Sequence, residues 1–180
     1  ATADRIAERF GLQGPRITIT TACSSSATAI GYGADWIQTG RVKAVLCGGG
    51  EALSELTFGG FNSLRVMDPA PCRPFDRKRA GMSLGEGAAF LVLESYEGAA
   101  RRGATVYAEF LGYALGGEAY HMTAPEPGGR REARIMEEAI AESGLSPDAI
   151  DAINAHGTGT PLNDKVESLA IKKVFGERAR

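Results

Sequence analysis

Two side chains in this sequence have the types and settings that chemistry needs. Cys23 stands between a β-branched run, Arg16-Ile-Thr-Ile-Thr-Thr21, and a stretch of small residues, Ser24-Ser-Ser-Ala27. A thiol at a helix start faces unpaired N–H groups and the positive end of the helix dipole, and both favour the thiolate. Small neighbours leave room for a substrate carbonyl to approach. A lone cysteine in an apolar chain is more often a buried packing residue. The strand–Cys–helix setting favours the nucleophile, because it resembles the tight turns that present nucleophiles elsewhere. His156 ends the stretch Ile150-Asp-Ala-Ile-Asn-Ala-His156 and opens Gly157-Thr-Gly-Thr-Pro161. The C-terminal ends of parallel strands are where α/β proteins build their sites; the plainer alternative is a histidine capping a turn. The two glycines let backbone come close to a ligand, and Thr158 and Thr160 place two hydroxyls two residues apart.

The remaining candidates read as structural. Cys47 falls mid-strand and Cys72 lies between two prolines. Three widely spaced cysteines without a CxxC pair argue against a closed zinc site or a disulfide framework, and reduced thiols in the cytoplasm are the default; no metal ligands are assigned and no cofactor is expected. Gly48-Gly-Gly50 and Gly85-Glu-Gly87 match neither common phosphate-loop pattern and are expected to serve close backbone packing. Arg77-Lys-Arg79 reads as a solvated charged face. His121, in Tyr120-His-Met-Thr-Ala-Pro125, reads as a loop histidine.

Around these residues the pattern alternates strands and helices. A helix ends over Asp4 to Phe10 at Gly11, and a strand covers Arg16 to Thr21. A helix then carries Ala27, Ile30, Ala34 and Ile37 on one face and stops at Gly40. Gly31 and Gly33 inside it are expected to permit close packing. Strands are expected at Val42 to Cys47, Gly87 to Glu94 (as a continuously buried strand), Val106 to Tyr113 and Ile150 to His156. Helices are expected at Ser95 to Arg102, Gly128 to Ser143 and Asn163 to Phe175. The alternation predicts an α/β fold with a largely parallel sheet, divided near residues 98–104.

Composition narrows the function classes. In 180 residues, 20 Lys+Arg face 22 Asp+Glu, a net charge of −2 with both signs interspersed, which argues against a nucleic-acid binder. A hydrophobic fraction of 43% supports a core, yet no apolar run approaches a membrane span. No signal peptide is visible. The first residue is not Met and the sequence opens inside a helical pattern, so an internal piece of a longer protein is expected.

Taken together, Thr21-Ala-Cys-Ser-Ser-Ser26, Phe75-Asp76, Gly85-Glu-Gly87, Tyr120-His-Met-Thr-Ala-Pro125, Asn154-Ala-His-Gly-Thr-Gly-Thr-Pro161 and Asn163-Asp-Lys-Val-Glu167 resemble the β-ketoacyl-acyl-carrier-protein synthases. They occur in that family's order and span nearly the whole chain. The nearest subgroup is the discrete elongation synthases of the second class, with discrete polyketide ketosynthases close behind. The resemblance implies a thiolase-like α/β fold of two similar halves, each with a mixed five-stranded sheet layered with helices, incomplete here. Residues 1–100 would be the C-terminal part of the first half and 101–180 the N-terminal part of the second.

It further implies that Cys23 accepts the acyl chain and His156 is one of two catalytic histidines. Thr158 and Thr160 would bind the pantetheine arm, and Glu167 would order the site. A second histidine and a lysine would follow beyond Arg180, so the 180-residue piece alone is expected not to turn over. The implied partner is acyl carrier protein, with Arg65 and Arg77 to Arg79 as weak contact candidates, and a homodimer is implied through Ile17 to Thr21. Neither nucleic acid nor membrane is an expected partner. Rival readings are a catalytically silent chain-length-factor subunit, which typically lacks the nucleophile, a thiolase, and an interaction protein in which Cys23 and His156 are core residues.

Overall fold

A computed structural model describes residues 2–179. They form two compact units that are discontinuous in sequence: Ala1–Glu51 with Gly87–Phe110, and Ala52–Glu86 with Leu111–Arg180.

Among the described residues the first unit is built on three α-helices and one β-ladder. Helix α1 spans Thr2–Phe10, and α2 spans Ser25–Gln38. Strand β1 is Ala44–Glu51 and β2 is Gly87–Glu94; they pair antiparallel, with Val45 opposite Leu93, Cys47 opposite Leu91 and Gly49 opposite Ala89. Gly40 stops α2 at φ +69°: its N–H donates to Ile37 O (3.0 Å) and the Arg41 N–H to Trp36 O (2.8 Å), the paired bonds of a Schellman end. The helix lies against β1 because its contact residues are small. A β-carbon on Gly33 would stand 2.9 Å from Val45 Cγ1, and one on Gly49 would stand 2.8 Å from Ser26 Cβ. The expected packing role holds at Gly33 and Gly49. At Gly85 and Gly87 it does not, since an added β-carbon there meets open space. Helix α4, Tyr96–Arg101, follows β2 with Ser95 Oγ accepting the Gly98 N–H, and Arg102 chelates both carboxylate oxygens of Glu94.

The second unit holds α3 (Glu55–Ser63), α5 (Arg130–Ser143) and α6 (Pro161–Phe175), with α5 packed on α6. Ala133, Val166 and Ala170 are buried between them. Helix α3 was not expected from the sequence, because Gly59-Gly60 interrupts its pattern; a Ser54 side chain that accepts the Thr57 N–H starts it.

Three expectations change. The single ladder among the described residues is antiparallel, so the largely parallel sheet predicted by the alternation is not what forms. The stretches 16–21, 106–113 and 150–156 run outside helices and ladders, having β-type residues but no paired neighbour among the described residues. Strand β2, read as continuously buried, leaves Phe90, Leu91 and Val92 exposed. Helix α2 packs mainly on β1 and only partly on β2. No helix among the described residues is long and apolar enough to cross a membrane.

Candidate active site

Cys23 lies in a single 3-10 turn, Ala22–Ser24, that leads directly into α2. Its thiol is exposed, whereas Cys47 is buried and Cys72 half-buried. Burial pushes the Cys47 thiol up, away from thiolate at neutral pH. Ala22, immediately before Cys23, has φ +52°, a left-handed conformation that a β-carbon opposes by roughly 1 kcal/mol. Hydroxyls hold it there. Ser25 Oγ accepts the Thr21 N–H (2.8 Å) and donates to Ala22 O (2.7 Å), and Ser24 Oγ donates to Thr21 O (2.8 Å). Thr21 and Thr28 hydroxyls meet at 3.3 Å. The serines after Cys23 thus do more than leave space: they lock the turn that carries Cys23.

The second unit assembles the other four candidates. His156 is exposed, and its backbone N–H donates to Glu167 Oε1 at 2.6 Å while Gly157 N–H donates to Oε2 at 2.9 Å. One carboxylate on α6 therefore holds two consecutive amides of the loop, a charge-assisted arrangement stronger than two neutral hydrogen bonds. Thr158 and Thr160 hydroxyls lie 2.8 Å apart. One of their two protons is used between them, and the other is left to donate outward. Gly159 has φ +78°, and a β-carbon there would come within 2.6 Å of Gly81 O, so this position takes glycine for both reasons.

Two residues hold this loop from beneath, in a role that sequence reasoning did not assign to either. Asp164, in the first turn of α6, is fully buried; its Oδ1 accepts Gly159 N–H (3.1 Å) and its Oδ2 accepts Phe75 N–H (2.7 Å). Arg79 pairs with the same Oδ2 at 3.3 Å. Read as part of a solvated face, Arg79 is instead mostly covered. The usable signal was Asp164 itself, one turn before Glu167, since two acids at that spacing share a helix face. His121 behaves as the sequence suggested: its Nδ1 accepts the N–H groups of Thr123 and Ala124, both at 3.1 Å. No group of three or more metal-ligating side chains occurs among the described residues.

The Beta-ketoacyl synthase N-terminal domain model matches residues 1–99, and the C-terminal domain model matches residues 107–180. The chain belongs to the β-ketoacyl synthase family. It is 44% identical over 177 residues to 3-oxoacyl-acyl-carrier-protein synthase 2 of Synechocystis, covering 94% of this chain and 42% of that protein. It is 44% identical over 180 residues to nodulation protein E of Rhizobium meliloti, covering 99% of this chain and 44% of that one. The chain thus spans less than half the length of the curated relatives it matches.

Among solved structures, the ishigamide ketosynthase/chain length factor superposes with a TM-score of 0.93 at 43% identity, covering 97% of this chain and 43% of that one. A type II polyketide synthase acyl-carrier protein in complex with its ketosynthase gives a TM-score of 0.92 at 38% identity, with coverages of 97% and 45%. The β-ketoacyl synthase of Burkholderia phymatum gives 0.92 at 39%, with coverages of 98% and 44%. The fold is the thiolase-like α/β fold of these ketosynthases.

Proposed function

We propose that the full-length protein carrying this chain is a condensing acyltransferase that elongates an acyl chain in fatty acid synthesis. The observation that carries this reading is the exposed Cys23 sulfur, presented by a hydroxyl-locked, left-handed turn at the start of α2. The Cys23 thiolate attacks the carbonyl of an acyl-carrier-protein thioester, releases the carrier thiol and keeps the acyl group as its own thioester. Malonyl-carrier protein then loses CO₂. The electron pair left behind forms an enolate, which attacks the Cys23 thioester, frees the thiolate and leaves a β-ketoacyl chain on the carrier. The enolate oxygen needs a donor, and neutral His156 supplies an N–H. The Cys23 backbone N–H serves the oxyanion of the tetrahedral intermediates. The outward hydroxyl proton of the Thr158–Thr160 pair binds the pantetheine arm, and Glu167 orders the loop.

The partition at about residue 100 into parts of two thiolase halves belongs to the same reading, and the domain matches at 1–99 and 107–180 support it. Acyl carrier protein is the proposed partner, supported by the similar ketosynthase solved with its carrier. A homodimer through Ile17 to Thr21 and a cytoplasmic location complete it. The second reading, a polyketide ketosynthase paired with a chain-length factor, is favoured by similar structures of that composition. The presence of Cys23 speaks against the silent subunit itself. The test is condensation by the full-length protein of acyl- and malonyl-carrier protein. A β-ketoacyl product that disappears in Cys23→Ala supports the reading; product formed undiminished by Cys23→Ala overturns it.

A further inference from the structure

The His156 imidazole accepts and donates no hydrogen bond among the described residues, so its pose is set by the backbone that carries it. That backbone is intrinsically loose: Gly157 and Gly159 both occupy left-handed conformations, at φ +52° and +78°. Glu167 holds its first two amides from α6. Its far end is held by a different device. The Arg79 guanidinium donates through Nε to Thr160 O (3.3 Å), through Nη2 to Pro161 O (2.8 Å) and through Nη1 to Asp76 O (3.1 Å). It also pairs with Asp164, whose side chain is 1% exposed and which accepts the Gly159 and Phe75 N–H groups. One planar cation thus binds the two carbonyls that end the loop and neutralises the carboxylate beneath its middle.

We propose that Arg79 is a positioning residue for the imidazole: by clamping Thr160, Pro161 and Asp164 to the 73–81 segment, it fixes the angle at which the loop presents His156. This rests on the reading of His156 as the donor to the enolate. Without that cation the Thr160 and Pro161 carbonyls lose their donors, and the buried Asp164 carboxylate that holds the Gly159 amide is left without its ion-pair partner. The loop is then tied at only one end. Lysine keeps the charge but lacks the fork, and cannot reach both carbonyls and the carboxylate together.

The experiment compares wild type, Arg79→Gln and Arg79→Lys in the full-length protein, with three readouts. These are malonyl-carrier decarboxylation, acylation of Cys23, and amide hydrogen exchange in the peptide spanning residues 154–162. The proposal expects Arg79→Gln to lower the decarboxylation kcat by about 10-fold with KM within about twofold, since an interaction felt in the transition state and not in binding is lost. Cys23 acylation stays within about twofold, exchange rises in 154–162 and not in the α2 peptide, and Arg79→Lys recovers part of the kcat. Unchanged kcat and exchange in Arg79→Gln overturn the proposal. So does a parallel fall of both partial reactions with the folded fraction, because that is loss of stability alone. If Arg79→Gln does not fold, the same kcat split and local exchange in Arg79→Lys decide the matter. A wild type without decarboxylation defeats the functional reading instead, and the exchange readout still decides whether Arg79 holds the loop.

Discussion

Glu167 shows how much one side chain can do for a loop when both of its oxygens find donors. It accepts the amides of His156 and Gly157 at once, with Asn163 Nδ2 at 3.3 Å from the same carboxylate. Replacing it by glutamine keeps the shape but turns one acceptor into an NH₂ group facing an N–H. Glu167→Gln is therefore expected to cost about 1–3 kcal/mol of stability and to lower malonyl decarboxylation by about 10-fold, read from urea midpoints and initial rates. Cys23, His156, Thr158, Thr160 and Glu167 were nominated as site residues by the sequence, the first two from their own settings and the others through a resemblance. Arg79 and Asp164 were not. Arg79 sits in a run of three cations that composition assigns to solvent, and nothing in the string reveals that its partners stand more than eighty residues away. A charge is only solvated if no buried partner reaches it, and that is a fact of tertiary structure.

At the scale of elements, the approach of α2 to β1 sets where the sulfur stands. Gly49 has room for no side chain against Ser26, three residues after Cys23. Gly49→Ala is expected to destabilise by about 1–3 kcal/mol and to change the alkylation rate of Cys23, because the helix start must move. Gly50→Ala, whose β-carbon would meet Ala88 Cβ at 3.4 Å, is expected to cost less than about 0.5 kcal/mol, read from denaturant midpoints.

Helix α5 carries a titrating group of the opposite kind. Burial pushes the Glu132 carboxyl up from its ordinary range, and the carboxylates of Glu118 and Glu126 add to the rise; Glu126 is itself paired with Arg130 and faces Lys173. A group whose folded-state pKa is raised favours folding at low pH and loses that contribution as pH rises through the folded value. Glu132→Gln should thus be near neutral at about pH 4 and stabilising at about pH 7, by less than about 1 kcal/mol because the side chain is partly solvated. Urea unfolding at both pH values checks the sign. The helices other than α3 were legible because their periods and stops are local. The strands were legible only as extended segments: pairing, direction and the cover on each face depend on neighbours that no local pattern names.

On the scale of the whole molecule, each compact unit supplies a different kind of group. The first offers a single exposed thiol at a helix start, and the second offers an imidazole on a loop pinned by two carboxylates. The family was legible because several short motifs occur in order along nearly the entire chain. The central claim concerns the sulfur. Its most direct test is to mix the full-length protein with acyl-carrier protein and map the acyl group by mass spectrometry of the digested enzyme. The account predicts one thioester, on the peptide holding Cys23, with Cys47 and Cys72 unmodified. An enzyme that takes up no acyl group, or takes it up at Cys47 or Cys72 and not at Cys23, would contradict it.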